Sequence, residues 1–113
     1  MTNYSIGHQA EQRAALYLQN RGYKIISTNW KTSRCEIDVI AQYQDVVYFV
    51  EVKYRKTGNQ GSGLDYITTS KLNRMIFAAE VWMQRYQWHG DFRLAAIELA
   101  GPQFAVGLFV KDL

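Results

Sequence analysis

The stretch EIDVIAQYQDVVYFVEVK, Glu36–Lys53, limits the fold of this chain more than any other. Two apolar, β-branched segments flank the polar pair Gln44-Asp45, which is the pattern of a β-hairpin. Yet Glu36, Asp38, Glu51 and Lys53 lie inside the strands. Successive strand residues point to opposite faces, so Glu36 and Asp38 share a face, as do Glu51 and Lys53. A hairpin symmetric about Gln44 and Asp45 sets Asp38 opposite Glu51 and Glu36 opposite Lys53, all on one side of the sheet. A two-residue turn, or a four-residue loop over Tyr43–Val46, gives that register. A three-residue loop or a bulge does not, since a one-residue slip turns every side chain over.

Like charges opposite one another destabilise a strand pair, and two half-buried carboxylates resist joint ionisation unless something positive compensates. Lys53 offers one charge and a hard divalent cation two more. The pattern D-x12-E-x-K therefore reads as a metal site. Asp38 and Glu51 are expected to ligate Mg2+ or Mn2+ through oxygen, with the Val52 backbone carbonyl and water completing the shell. Lys53 is expected to orient or deprotonate an attacking water, or to stabilise charge developing on phosphorus. Alone, E-x-K is too common to carry weight, and a solvated charge ladder competes with it. Matched charges on both strands favour the site.

A third acid joins them from the first helix. Glu11 is followed by Ala14, Ala15 and Leu18 at helical offsets, which puts it on the apolar face. A lone Glu there is often a tolerated boundary residue. Here its small neighbours allow close approach to the sheet and bring Glu11 toward the Asp38/Glu51 face.

Around the hairpin, Ser5–Arg21 reads as a helix with Ser5 as N-cap and Gly22 as its stop. Tyr23–Trp30 reads as a strand. The polar, glycine-rich stretch Arg55–Gly63 reads as a loop. A long helix is expected from Thr69 to Tyr86, its apolar face formed by Leu72, Met75, Ile76, Ala79, Trp82 and Tyr86. Strands Phe92–Leu99 and Phe104–Val110 follow, joined by a turn at Gly101-Pro102. The order is α-β-β-β-α-β-β. The long helix is a crossover that can make the third and fourth strands parallel neighbours. A mixed central sheet with a helix on each side is expected, as one domain over residues 1–113.

With 48% hydrophobic and 20% charged residues, the composition is that of a globular domain and excludes a disordered chain. A net charge of +3 permits an anionic partner without requiring one. Cys35 is the sole cysteine, which rules out an internal disulfide and a multi-cysteine zinc site. No apolar run approaches the roughly 20 residues of a membrane span, and the N-terminal stretch lacks a signal-peptide core. A cytoplasmic protein without a membrane anchor is expected.

The stretches GHQAEQRAALYLQNRGY, EIDVIA, FVEVKYR and TTSKL together resemble the YraN-like family of small bacterial proteins. That family is grouped with Holliday-junction resolvases in the PD-(D/E)xK nuclease superfamily. The resemblance runs from about Gly7 to Ile97. It implies a restriction-endonuclease-like fold and metal-dependent hydrolysis of DNA, with Glu11, Asp38, Glu51 and Lys53 as the active-site set and Glu36, Arg55 and Lys71 close by. Two departures stand out. Cys35 takes the place of the usual glycine before E-I-D, and Leu94 in FRLAAI stands where an acid is expected.

Arg55, Lys56, Lys71 and Arg74 are the expected grip on a phosphate backbone. His8 and His89 lack ligand spacing and read as surface residues. Trp30, Trp82 and Trp88 read as packing rather than base-stacking platforms, and Cys35 as inert and turned away from the acids. The leading expectation is a Mg2+/Mn2+-dependent endonuclease on branched or structured DNA, a homodimer where symmetric cutting needs two sites. The alternative is a non-catalytic DNA-binding or adaptor module that keeps the acids as a weak metal or structural site.

Overall fold

Helix α1 (Asn3–Asn20) begins at Thr2, whose side chain accepts the Ser5 N–H at 3.0 Å. The cap therefore lies ahead of the expected Ser5, which serves as the capped donor. These positions come from a computed structural model that describes residues 2–56 and 63–113. The helix ends where expected: Gly22 takes φ 93°, a left-handed conformation that costs a glycine little. Ala10, Ala14 and Leu18 form its buried stripe.

Five strands follow in the spatial order β1-β2-β3-β4-β5: Lys24–Lys31, Glu36–Tyr43, Val46–Arg55, Asp91–Ala100 and Ala105–Val110. Neighbours are antiparallel except β3 and β4, which run parallel from Val46↔Asp91 to Arg55↔Ala100. The crossover between them carries a short 3-10 turn, Gly63–Tyr66, and helix α2, Thr69–Arg85. The Thr68 side chain caps α2 by accepting the Lys71 N–H at 3.1 Å. Most of the stretch expected as a glycine-rich loop, residues 57–62, lies outside the described residues.

The sheet has a core on each face. On one, Ala10, Ala14 and Leu18 of α1 pack with Val39, Val50 and Ile97. On the other, Met75, Ala79 and Trp82 of α2 pack with Ile40, Phe49 and Leu94. The expected architecture is thus realised: a small α/β domain whose mixed five-stranded sheet is flanked by helices in the order α-β-β-β-α-β-β. Leu94, standing in place of an acid, is an α2-side core residue only 9% exposed. A carboxylate there would be buried among apolar groups.

Three details differ from the expectation. Ile76 and Tyr86 of the anticipated apolar face are 40% and 54% exposed, while Ala78 is buried. Met75, Ala78, Ala79 and Trp82 define the contact stripe, and Ile76 lies about 100° from Met75 around the helix. Tyr86 falls just past the helix end and packs on Trp82 instead, at 5.2 Å between ring centroids. Phe104 is a turn residue at φ 53°, buried and stacked obliquely on Tyr54 rather than opening the last strand. Among the described residues no helix is long and apolar enough to cross a membrane.

Candidate active site

The hairpin turns on Gln44 and Asp45, with Gln44 at φ 53° and Tyr43 paired to Val46. Of the turns that fit the register, the two-residue one is used. The β2–β3 ladder then runs in the expected register to Val39↔Val50 and ends there. Asp38 and Glu51 do not continue it as a ladder pair, nor do Glu36 and Lys53. Glu36 is exposed and pairs with Lys31 on β1. So the four charges do not stand together on one side of a flat hairpin.

Strand β2 loses its alternation at Asp38. Ile37 belongs to the α2-side core and Val39 to the α1-side core, although both are odd-numbered. Across from this point on β1, Asn29 has φ 50°. Where β2 parts from β3, the Asp38 carboxylate takes over the missing ladder bond: its Oδ2 accepts the Val52 N–H at 2.8 Å. In a strand, the N–H and C=O of one residue point to the same side. The Val52 carbonyl therefore faces the same gap.

This parting lets three acids from three elements approach. Glu11 reaches Asp38 from α1 and hydrogen-bonds to it, while Glu51 raises the Asp38 carboxyl from β3. Burial first, and the Glu51 charge second, push Asp38 up to about 8 against the pull of the Val52 N–H. Burial also raises Glu11, which its bond to Asp38 partly offsets. That shared bond raises Asp38 and lowers Glu11, and the two carboxyls resist ionising together. Both shifts mark carboxylates removed from water beside like charge.

The bases divide into two groups. Lys71 Nζ pairs with Glu51 Oε2 at 2.9 Å, with 26% and 18% of the two side chains exposed. Lys53 lies with its ammonium 5.7 Å from the centre of the Tyr66 ring, one step along the strand face from Glu51. Arg55 does not offer its charge outward as expected. Its Nε binds Glu98 at 3.0 Å, its Nη2 donates to the Gly63 carbonyl at 3.1 Å, and 13% of the side chain is exposed. Arg74 is exposed on α2, and Lys56 is exposed just beyond β3.

Three sets of residues escaped the sequence reading. Tyr66 sits beneath Lys53 and Arg55, its hydroxyl buried with no hydrogen-bond partner among the described residues. Burial, then Glu51 and Glu98, hold its ionisation well above the ordinary tyrosine range. Nothing in its neighbourhood of sequence distinguishes it. Glu98 did carry a signal, as the one charge within the apolar run LAAIELA. Lys31 and Arg34 are the third omission. With Glu36, Glu51, Lys71 and Arg74 they border a groove of about 810 Å³ between the β1–β2 connection and α2. Cys35, expected to face away, lines the same groove, with Thr32 Oγ1 at 3.4 Å from its sulfur.

Among the described residues no three His, Cys, Asp or Glu side chains converge as a ready set of metal ligands. The donors that fit a cation are Asp38, Glu51 and the Val52 carbonyl. All are oxygens, as suits Mg2+ or Mn2+ rather than a softer ion.

The model of the uncharacterised protein family UPF0102 matches residues 10–99, a span that holds Glu11, Asp38, Glu51, Lys53 and the whole β3–β4 crossover. A UPF0102 protein of Cytophaga hutchinsonii is 33% identical over 108 residues, 96% of each chain. One from Vibrio parahaemolyticus is 38% identical over 96 residues, covering 83% of this chain and 79% of the relative. One from a Sulfurihydrogenibium species is 38% identical over 94 residues, 82% of each. With that agreement spanning nearly the full length, this chain belongs to the UPF0102 family.

Proposed function

We propose that this protein is a metal-dependent nuclease that hydrolyses phosphodiester bonds in DNA, with branched or otherwise structured DNA as its substrate. The observation that carries the reading is the carboxylate cluster at the end of the β2–β3 ladder, where burial and Glu51 push Asp38 up to about 8. Acids gathered in a partly buried place with too little positive charge cost stability, and such shifts concentrate at functional sites.

Asp38, Glu51 and the Val52 carbonyl would hold Mg2+ or Mn2+. When bound, the cation lowers the pKa of a water and withdraws charge from a phosphoryl oxygen. The protein's own groups do the rest. The Val52 N–H fixes one oxygen of Asp38, and Glu11 shares a proton with that carboxyl and holds it in place. The Lys53 ammonium, next along the Glu51 face, orients the attacking water or stabilises charge building on phosphorus. Lys56, Lys71 and Arg74 supply backbone contacts. Symmetric cutting of a junction takes two such sites, and so two copies of the chain.

One contact favours a second reading, a non-catalytic DNA-binding or adaptor module. The Lys71–Glu51 ion pair already gives one acid a positive partner without any metal. Calorimetric titration with Mn2+, beside cleavage assays on linear, flapped and four-way DNA, separates the two. The nuclease reading expects Mn2+ binding that is lost in Asp38→Ala and Glu51→Ala, and cleavage of at least one structured DNA. Equal binding in all three proteins would sink the metal assignment. Metal binding without any cleavage would make the adaptor the better reading.

A further inference from the structure

The groove beside Glu51 is larger than a cation and one phosphate require. Its volume is about 810 Å³, in the range of sites that enclose whole organic ligands. Cations reach it from three places: Lys31 at the end of β1, Arg34 in the connection to β2, and Lys71 and Arg74 on α2. Two acids, Glu36 and Glu51, border it, and Lys71 is already bound to Glu51. The balance favours an anion.

The same wall carries an aromatic ring. Phe77 stands three residues beyond Arg74 on α2, hence on the same side of the helix. It lines the groove and is 38% exposed, outside the core that buries Met75, Ala78 and Ala79. The Arg34 guanidinium lies over its ring, 5.3 Å from the centroid. That face of the ring already accepts a planar, π-bonded group. Cations flanking a partly exposed ring match a strand that offers phosphates and flat bases together.

We propose that this groove holds an unpaired nucleic-acid strand beside the candidate active site, with one base stacked on Phe77 and its phosphates on Lys31, Arg34 and Arg74. The base takes the place of the Arg34 guanidinium on the ring. A paired duplex cannot use the ring, because its base faces are covered by their neighbours in the stack. The groove thus selects DNA with an unpaired segment at the point of cutting, such as a flap or an opened branch. This choice of substrate rests on the nuclease reading, whereas binding of the strand does not.

The test uses the full chain in EDTA, at low salt, by fluorescence anisotropy. Its ligands are an oligothymidylate, an abasic strand of the same length, a duplex and an acidic peptide. The wild type binds the oligothymidylate more tightly than the abasic strand by roughly 5- to 150-fold, the usual worth of one stacked base. Phe77→Ala and Phe77→Leu abolish that preference while changing abasic and duplex affinity little; both replace a surface ring and leave the core intact. Arg34→Gln weakens oligothymidylate and abasic strand alike and lowers the single-strand salt slope by about 0.7. Equal affinity of the wild type for thymidylate and abasic strands overturns the proposal. So does a Phe77→Ala loss as large on duplex as on oligothymidylate, or a groove that binds an acidic peptide as well as the strand. Because no metal is present, failure to cleave leaves the strand site standing, and loss of the base preference leaves the nuclease reading standing.

Discussion

Replacing Asp38 by asparagine should stabilise this protein in the absence of metal, and only above mildly acidic pH. The amide oxygen still accepts the Val52 N–H, which Asp38 Oδ2 accepts at 2.8 Å. What disappears is the cost of ionising a carboxyl raised from 3.8 to about 8 by burial and by Glu51. A raised folded pKa means that the native state holds its proton more tightly than the unfolded chain does. Stability from this group is therefore fully present below about pH 4 and declines as pH rises toward 8. At 1.36 kcal/mol per unit the full cost is about 6 kcal/mol. Glu11 can take up part of the proton in place of Asp38, which brings the expected gain for Asp38→Asn at pH 8 to roughly 2–5 kcal/mol. At about 4 °C per kcal/mol, the variant should melt some 8–20 °C above the parent at pH 8 and within a degree or two of it near pH 4. Mn2+ should narrow the gap by stabilising the parent alone. Thermal melts of both proteins from pH 4 to 8, with EDTA and with Mn2+, make the comparison. A pH-independent difference, or a variant less stable than its parent at pH 8, would refute the account of Asp38 as an uncompensated buried acid.

Four other outcomes are expected. Lys53→Ala should leave Mn2+ affinity unchanged or improved while cleavage falls by on the order of 10²-fold, and Lys53→Arg should not restore it, as single-turnover assays beside calorimetry will show. Lys71→Met should tighten Mn2+ binding, because it removes the ammonium 2.9 Å from Glu51; weaker binding in calorimetry would make Lys71 part of the site's support rather than a competitor. Tyr66→Phe should be as stable as the parent or about 1 kcal/mol more so by urea unfolding, since it deletes a buried hydroxyl without a partner among the described residues. A large loss of stability would mean that the hydroxyl is satisfied in solution. Arg55→Ala should cost about 2 kcal/mol by stranding Glu98, yet leave the salt slope of duplex binding unchanged, whereas Lys56→Ala or Arg74→Ala should lower that slope by about 0.9.

Much of the architecture was legible because it depends on local periodicity. The alternation in Glu36–Lys53 and the polar pair at its centre specified a hairpin and, through parity, its register up to Val39↔Val50. The length of the helical pattern after Thr68 implied a crossover, and β3 and β4 are parallel as a crossover allows. Candidate carboxylates were visible as charges in places where apolar residues belong, since ionised groups inside strands and on apolar helix faces need a reason.

Tertiary structure alone decided how those charges are used. Parity assumes an unbroken ladder, and β2 leaves β3 at Asp38, so the carboxylate bonds to the Val52 N–H instead of standing across from Glu51. Which cation meets which anion was equally beyond the sequence. Lys71 and Glu51 are joined by the packing of α2, and Arg55 and Glu98 by the parallel register of β3 and β4. Electrostatic partners are chosen by distance in space, and a five-stranded sheet with a crossover brings together residues whose separation in sequence carries no period to read. The residues that shape the site were therefore legible as types, and their contacts appeared only once the β2–β3 ladder parted and α1 and α2 closed on either side of it.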